Sequence, residues 1–320
     1  MSTAPDPELV ARFTAALDRL NPGGGTLGLA VSGGPDSMAM LLLAQEAIPG
    51  RFEVATIDHG LRPEAADECA LAVAACAERD IPCEARTVTV AEGNLQAGAR
   101  DVRYAALYQV AEDRGWSAIA TAHHADDQVE TLLMRLNRGS GLQGLSGVRE
   151  RSFPLEELYA DIPVIRPLLQ FRRSELAGLV AAAGVPVARD PSNEDDRFDR
   201  VRIRRVLAEA DWLNPVALAR SAAHLADADH ALNTMTSDTL KRCTRKEGDC
   251  IVCIPPPEGE VAFRVVSRII VELGGTPRGS DVARLIDALL RGERGNIAGV
   301  LATARGGEWI FRAEPPRRTG

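Results

Sequence analysis

Short apolar runs alternate with longer stretches of helical periodicity through the first two hundred residues. Residues 26–31, 52–57, 83–90 and 118–122 read as strands, and residues 37–47, 65–79, 95–114 and 127–137 between them as helices. This order predicts an α/β fold, a parallel twisted sheet with helices on both faces and right-handed crossovers. Ligands of such sheets lie beyond the carboxyl ends of the strands, so the residues after Val31, Ile57 and Ala122 are the ones to inspect. An apolar stretch at 162–169, a helix at 173–183 and an Arg-rich helix at 200–209 complete this domain. Asn214-Pro215 disfavours helix continuation, and the spacing predicts a catalytic domain over 1–211 and a smaller, mainly helical C-terminal domain over 212–320. For the latter the pattern predicts a helical hairpin at 216–240, a strand at 250–254 stopped by Pro255-Pro256-Pro257, two more helices, and a small sheet from 299–303 and 308–312.

The first predicted strand runs into Ser32-Gly33-Gly34-Pro35-Asp36-Ser37 and then a helix. Gly33 and Gly34 let the backbone approach an anion, and Pro35 fits a first helical turn, where its missing N–H costs nothing. The amides that follow and the positive end of the helix dipole then face the ligand. Ser32 and Ser37 add hydroxyls. Asp36 beside phosphate makes sense as a holder of Mg²⁺, which takes one or two carboxylates together with phosphate oxygens. A plain Gly-rich turn with Asp36 or Ser37 as ordinary first-turn residues is the alternative. The six residues match the Ser-Gly-Gly-x-Asp-Ser signature of the PP-loop ATP pyrophosphatases. That resemblance implies ATP cleaved between its α and β phosphates, and adenylation of an oxygen on the substrate.

Composition narrows the chemistry. With 45% hydrophobic and 26% charged residues the 320-residue chain has the make-up of a globular protein, and it carries no apolar run long enough for a membrane span. The acidic start, Met1 to Leu9, is unlike a leader, so a cytoplasmic, non-membrane protein is expected. A net charge of −8 argues against indiscriminate coating of nucleic acid but leaves room for a local basic patch. Six cysteines are too few for a disulfide framework and read as reduced thiols. Lys241 and Lys246 are the only lysines, which removes a phosphate-binding lysine loop and any self-adenylated lysine from the first domain.

Two further constellations stand at predicted strand ends. Asp58-His59-Gly60-Leu61-Arg62 places His59 and Arg62 within reach of a ligand, or merely makes a turn. In His123-His124-Ala125-Asp126-Asp127-Gln128-Val129-Glu130-Thr131, Asp127 and Glu130 share a helix face and can serve one ion or proton. The same pair also reads as a capping box, Asp127 capping and Glu130 returning the bond. Adjacent histidines diverge, so His123 and His124 suit a zinc site badly. Arg135, Arg138 and the glycine-rich run Gly139 to Leu145 follow.

Together with Arg166-Pro167-Leu168-Leu169 and Asp190-Pro191-Ser192-Asn193, these motifs resemble bacterial tRNA(Ile)-lysidine synthase over most of residues 26–205. The resemblance implies an adenine nucleotide alpha-hydrolase-like fold. It also implies a ligase that joins free L-lysine to C2 of the wobble cytidine of tRNA(Ile) with a CAU anticodon, consuming ATP with Mg²⁺ and releasing AMP and diphosphate. The cytidine O2 is first adenylated, and the lysine amine then displaces AMP. Carried onto this chain, the nucleotide loop falls on Ser32 to Ser37 and the acidic pair on Asp127 and Glu130, with Asp36 and Asp127 toward Mg²⁺. The arginine that balances phosphate charge falls on Arg103, with Arg100 one turn earlier; His59, Arg62 and His123 are further contacts. Val201 departs from an Asn frequent in the family, and the chain ends sooner than the longer members.

Arg197, Arg200, Arg202, Arg204 and Arg205, with Arg166, Arg172 and Arg173 upstream, read as the cations that would grip tRNA phosphates, the C-terminal domain assisting; a solvated helix face balanced by acids is the alternative. Cys250 and Cys253, in a strand-like run, and Cys69, Cys76 and Cys83 read as core thiols. A PP-loop tRNA thiolase, an ammonia-using amide synthetase and a nucleotide-gated RNA-binding protein without turnover are the competing functions. A homodimer is left open.

Overall fold

The computed structural model describes residues 4–58, 60, 64–89, 95–155, 161–188, 199–210 and 212–314; side chains within this set are described for all but Glu64 and residues 95–99. The chain forms two compact units, residues 1–226 and 227–320.

The first unit opens with α1 (Pro7–Leu20), whose N-cap Asp6 accepts from the Glu8 amide at 2.9 Å. There follow β1 (Leu27–Ala30), α2 (Pro35–Ala47), β2 (Phe52–Asp58), α3 (Glu64–Ala77), β3 (Cys83–Thr87), α4 (Leu95–Arg114), β4 (Ala118–Ala120), α5 (Ala125–Asn137), the single turn α6 (Leu142–Leu145), β5 (Arg151–Ser152), β6 (Val164–Ile165), α7 (Arg173–Ala183) and α8 (Asp199–Glu209). The sheet order is β3-β2-β1-β4-β6-β5, parallel except for β5. The strand and helix positions predicted from periodicity are present with ends shifted by a few residues.

β1 is wholly apolar or glycine because it is the inner strand, pairing with β2 on one side (Leu29 opposite Val54) and β4 on the other (Leu29 opposite Ala120). Gly28 within it is obligatory: a Cβ there would stand 1.7 Å from the Trp116 ring, which closes over the strand. α2 is buried from Ser37 to Ala44, which is why its sequence lacks a polar face. One core joins α1, α2, α7 and β1 around Phe13, Leu29, Met38, Leu41 and Phe171; another joins α4 to the sheet around Tyr108, Ile119 and Val164. The chain moves outward through β1, β2 and β3, then returns to place β4 against the other side of β1. That reversal is a topological switch point, where the strand ends open a crevice.

The division between units falls later than the Asn214-Pro215 turn. The predicted helical hairpin is instead one continuous helix, α9 (Pro215–Cys243), since no glycine or proline interrupts it after its first residue. Its first turns belong with the first unit: Ser146 Oγ donates to the Leu225 carbonyl and Arg149 to that of Ala226. The second unit carries β7 (Thr244–Glu247), β8 (Cys250–Cys253), α10 (Glu260–Glu272), α11 (Gly279–Leu290), β9 (Arg294–Ile297), β10 (Val300–Arg305) and β11 (Glu308–Ala313). Its sheet is antiparallel, ordered β7-β8-β11-β10-β9, and so more extensive than the strands read from the sequence. Val265, Ile269, Leu285, Trp309 and Phe311 form its core, with Cys253 buried among them. Among the described residues no helix is long and apolar enough to cross a membrane.

Candidate active site

The loop from Ser32 to Ser37 leaves β1 at the switch point. Gly33 adopts φ +80°, and a Cβ on it would stand 2.2 Å from the Glu68 carbonyl oxygen of α3, so only glycine fits. Gly34 caps α2 and Pro35 opens it, leaving the first amides of the helix free of side-chain caps. Ser37 is buried; its hydroxyl donates to the Gly34 carbonyl (2.9 Å) and accepts from the Ser32 amide (3.2 Å), with the Ser32 hydroxyl 3.3 Å away. These bonds shape a ring of amides and hydroxyls suited to phosphate oxygens. The Gly33 carbonyl accepts from the Ala188 amide at 2.9 Å, so the chain that follows α7 is fastened to the loop.

The end of β4 supplies the facing wall. The two histidines diverge. His123 lines the cleft, its Nδ1 3.1 Å from the Thr121 hydroxyl. Burial, helped by the charges of Arg166, Arg100 and Arg103 and opposed by Asp127, takes its pKa down to about 4, so it is neutral at physiological pH. His124 is not part of that lining and is buried as the N-cap of α5: its Nδ1 accepts from the Asp127 amide (3.3 Å) and its own amide donates to Asp127 Oδ2 (3.1 Å). The capping box therefore lies between His124 and Asp127, one turn before the Asp127 and Glu130 box that the sequence suggests. His124 Nε2 lies 3.5 Å from Asp36 Oδ2 and 3.5 Å from Asp127 Oδ2. Burial alone would lower its pKa; the Asp36 hydrogen bond and the charges of Asp127, Asp36 and Asp126 outweigh that and raise it. The bridging of Asp36 and Asp127 by His124 needs the first turn of α2 to approach the start of α5, which no local pattern carries.

Asp127 and Glu130 take different places. Asp127 lines the cleft with Ser32, Gly34, Asp36, Ser37, Arg103 and Arg200, in a space of about 300 Å³. Glu130 is 1% exposed and is held by α8: Arg204 reaches it through Nε (2.8 Å) and Nη2 (3.3 Å), and Arg200 Nε stands at 3.7 Å. Glu130, first, raises the Arg204 pKa through this hydrogen bond, so the guanidinium stays charged. Arg200 also donates to the Thr131 hydroxyl at 3.3 Å and faces the cleft. Arg204 is thus turned inward, Arg202 pairs with Asp199, and Arg202 and Arg205 are exposed. Upstream, Arg172 pairs with Asp126 at 3.1 Å and Arg166 is buried, so neither joins an open basic face. Arg135 donates to the Gly144 and Gly147 carbonyls and shapes the glycine-rich turn.

Arg103 lines the cleft and Arg100 lies near it; their guanidiniums stand 5.8 and 5.0 Å from the Tyr104 ring centre. Burial, then repulsion by Arg100, lowers the Arg103 pKa. His59, Arg62, Arg197 and Asp190-Pro191-Ser192-Asn193 lie outside the described residues. Cys250 and Cys253 are strand residues, and the Cys253 thiol lies 3.6 Å from that of Cys243, with burial pushing its pKa up.

A PP-loop domain model matches residues 6–210. The chain is 45% identical over 97% of its length to the tRNA(Ile)-lysidine synthase of Novosphingobium aromaticivorans, of which it covers 95%, and 39% identical over 93% of its length to that of Zymomonas mobilis, of which it covers 91%. Among solved structures, the U34-tRNA thiolase NcsA from Methanococcus maripaludis is similar in fold, with a TM-score of 0.51 and 17% identity over 68% of this chain and 78% of that one. An ATP-using loop at the switch point, with relatives of one kind over nearly the whole length, makes this chain a member of the tRNA(Ile)-lysidine synthase family within the PP-loop proteins.

Proposed function

We propose that this chain ligates free L-lysine to C2 of the wobble cytidine of tRNA(Ile) with a CAU anticodon, at the expense of ATP. The observation that carries the reading is the junction of the β1 loop and the β4 end in one cleft, with the amides and hydroxyls of Ser32 to Ser37 on one side and Asp127, His123 and Arg103 on the other. Cytidine O2 attacks the α phosphorus, the bond to the β-phosphate oxygen breaks, and diphosphate leaves with the electron pair. The lysine amine then attacks C2, the C2–O2 bond breaks, AMP carries the oxygen away, and the amine gives up a proton. Arg103 faces the charge that develops on the phosphates. Neutral His123 can donate or accept at the reacting base without a net charge.

Asp36 Oδ1 is buried and has no hydrogen-bond partner among the described residues, an arrangement that suits a cation. Asp36 and Asp127 would hold Mg²⁺, with the rest of its shell from phosphate and water, and the ion would neutralise charge on the phosphates. Arg200, Arg202 and Arg205 are exposed cations of α8 that would meet the tRNA backbone. The assay is incubation of unmodified tRNA with ATP and labelled lysine. Lysine retained in the RNA with AMP release is expected; labelled sulfur in the RNA from a sulfur donor instead would favour a thiolase. In the same assay Asp127→Asn should lose turnover by about two orders of magnitude or more while unfolding within about 1–2 kcal/mol of the parent, the scale of its capping bond; near-normal turnover would reduce Asp127 to a cap.

A further inference from the structure

Arg166, at the end of β6, is 3% exposed yet has no carboxylate partner among the described residues. Its Nη1 donates to the Arg149 carbonyl (2.6 Å) and the Ser152 hydroxyl (2.9 Å), and its buried Nε meets no acceptor among those residues. The Tyr104 hydroxyl is also buried, beside this guanidinium and short of hydrogen-bond geometry. A buried cation that nothing negative compensates is costly and is kept where an anion completes it. Burial pulls the Arg166 pKa down, with the Tyr104 phenol pulling the other way.

The surroundings give the direction of that anion. The Tyr104 ring lies beneath the guanidiniums of Arg100 and Arg103, and Tyr104 and Arg103 both line the cleft. The charges of Arg166, Arg100 and Arg103 all act on His123, which faces the same space from β4. The cleft is therefore cationic around Tyr104 and His123. With no lysine before Lys241, the cationic side consists of arginine alone.

We propose that Arg166 is a positioning residue for the departing diphosphate: through Tyr104 it holds Arg100 and Arg103 as a wall that receives an oligophosphate anion. The proposal rests on ATP cleavage between its α and β phosphates and is indifferent to which nucleophile attacks. The test is calorimetric binding of inorganic pyrophosphate and, separately, of AMP to the full chain, which needs neither tRNA nor lysine. Arg166→Met should weaken pyrophosphate binding by about tenfold or more and change AMP binding by less than about twofold; Arg166→Lys, which keeps charge but loses the planar fork, should lie between. If Arg166→Met does not fold, Arg166→Lys alone decides, with about threefold weaker pyrophosphate and unchanged AMP expected. Equal losses for both ligands, or none for either, overturn the proposal. Normal selective pyrophosphate binding in a protein that fails to lysylate tRNA would leave this inference standing and count against the tRNA reaction.

Discussion

His123 and His124 are neighbours in sequence with opposite electrostatic fates. His123 loses affinity for its proton because burial and three arginines outweigh Asp127, whereas His124 gains it because three carboxylates outweigh burial. For His123 the sign is definite: its folded pKa, about 4, lies below the ordinary 6.5, so the unfolded chain takes up a proton first as pH falls. Its contribution to stability is complete above pH 6.5 and is lost toward pH 4. Urea unfolding across that window should show stability rising with pH, and His123→Gln should flatten the rise; an unchanged slope would refute it. The loop glycines, Asp36, Arg103 and the split histidines were legible because each stands in a local motif at a strand end. Arg166 was not. In the sequence it reads as part of the Arg166-Pro167-Leu168-Leu169 motif and as a cation for tRNA phosphates, whereas the structure buries it beside β6.

Elements follow the sequence closely wherever periodicity and punctuation agree, as in α7, predicted and found at residues 173–183. They part where a tertiary partner decides. α5 begins at Ala125 because the buried His124 outcompetes Asp127 as cap, and α9 runs through where a hairpin was expected because Asn-Pro marks its start and no breaker follows. The α5–α8 contact is the sharpest departure. Glu130, expected beside Asp127, is the acid that draws α8 in through Arg204, so that arginine of the run serves packing and not the surface. Arg204→Ala should cost about 3 kcal/mol, less than a fully abandoned buried charge because Arg200 remains nearby. The double variant Glu130→Gln with Arg204→Met should recover part of that loss in urea unfolding. A strictly additive cycle would mean that the two side chains do not interact.

At the scale of the whole molecule, an acidic chain of net charge −8 has to handle two polyanions, a nucleotide and an RNA. It does so by sorting its arginines. Arg204, Arg172 and Arg264 are paired with carboxylates; Arg103 lines the cleft, with Arg100 beside it over the Tyr104 ring; Arg202 and Arg205 are exposed on α8. Arg202→Ala with Arg205→Ala should lower tRNA affinity and reduce the slope of log K against log salt by about one to two, each lost phosphate contact removing nearly one counterion. An unchanged slope would move the RNA elsewhere. The parallel sheet was legible in the alternation of strands and helices, whereas the five-stranded order of the second unit turns on the long-range antiparallel pairing of β8 with β11, which joins two local hairpin systems and which no short-range pattern announces.

One backbone bond gives this arrangement a reporter. The Ala188 amide is satisfied by the carbonyl of Gly33, so a single proton on the far side of α7 is hidden only while the phosphate loop keeps its shape. Its exchange with deuterium would follow the opening of that loop, and slowing on addition of nucleotide would time loop occupancy residue by residue, without any product being made.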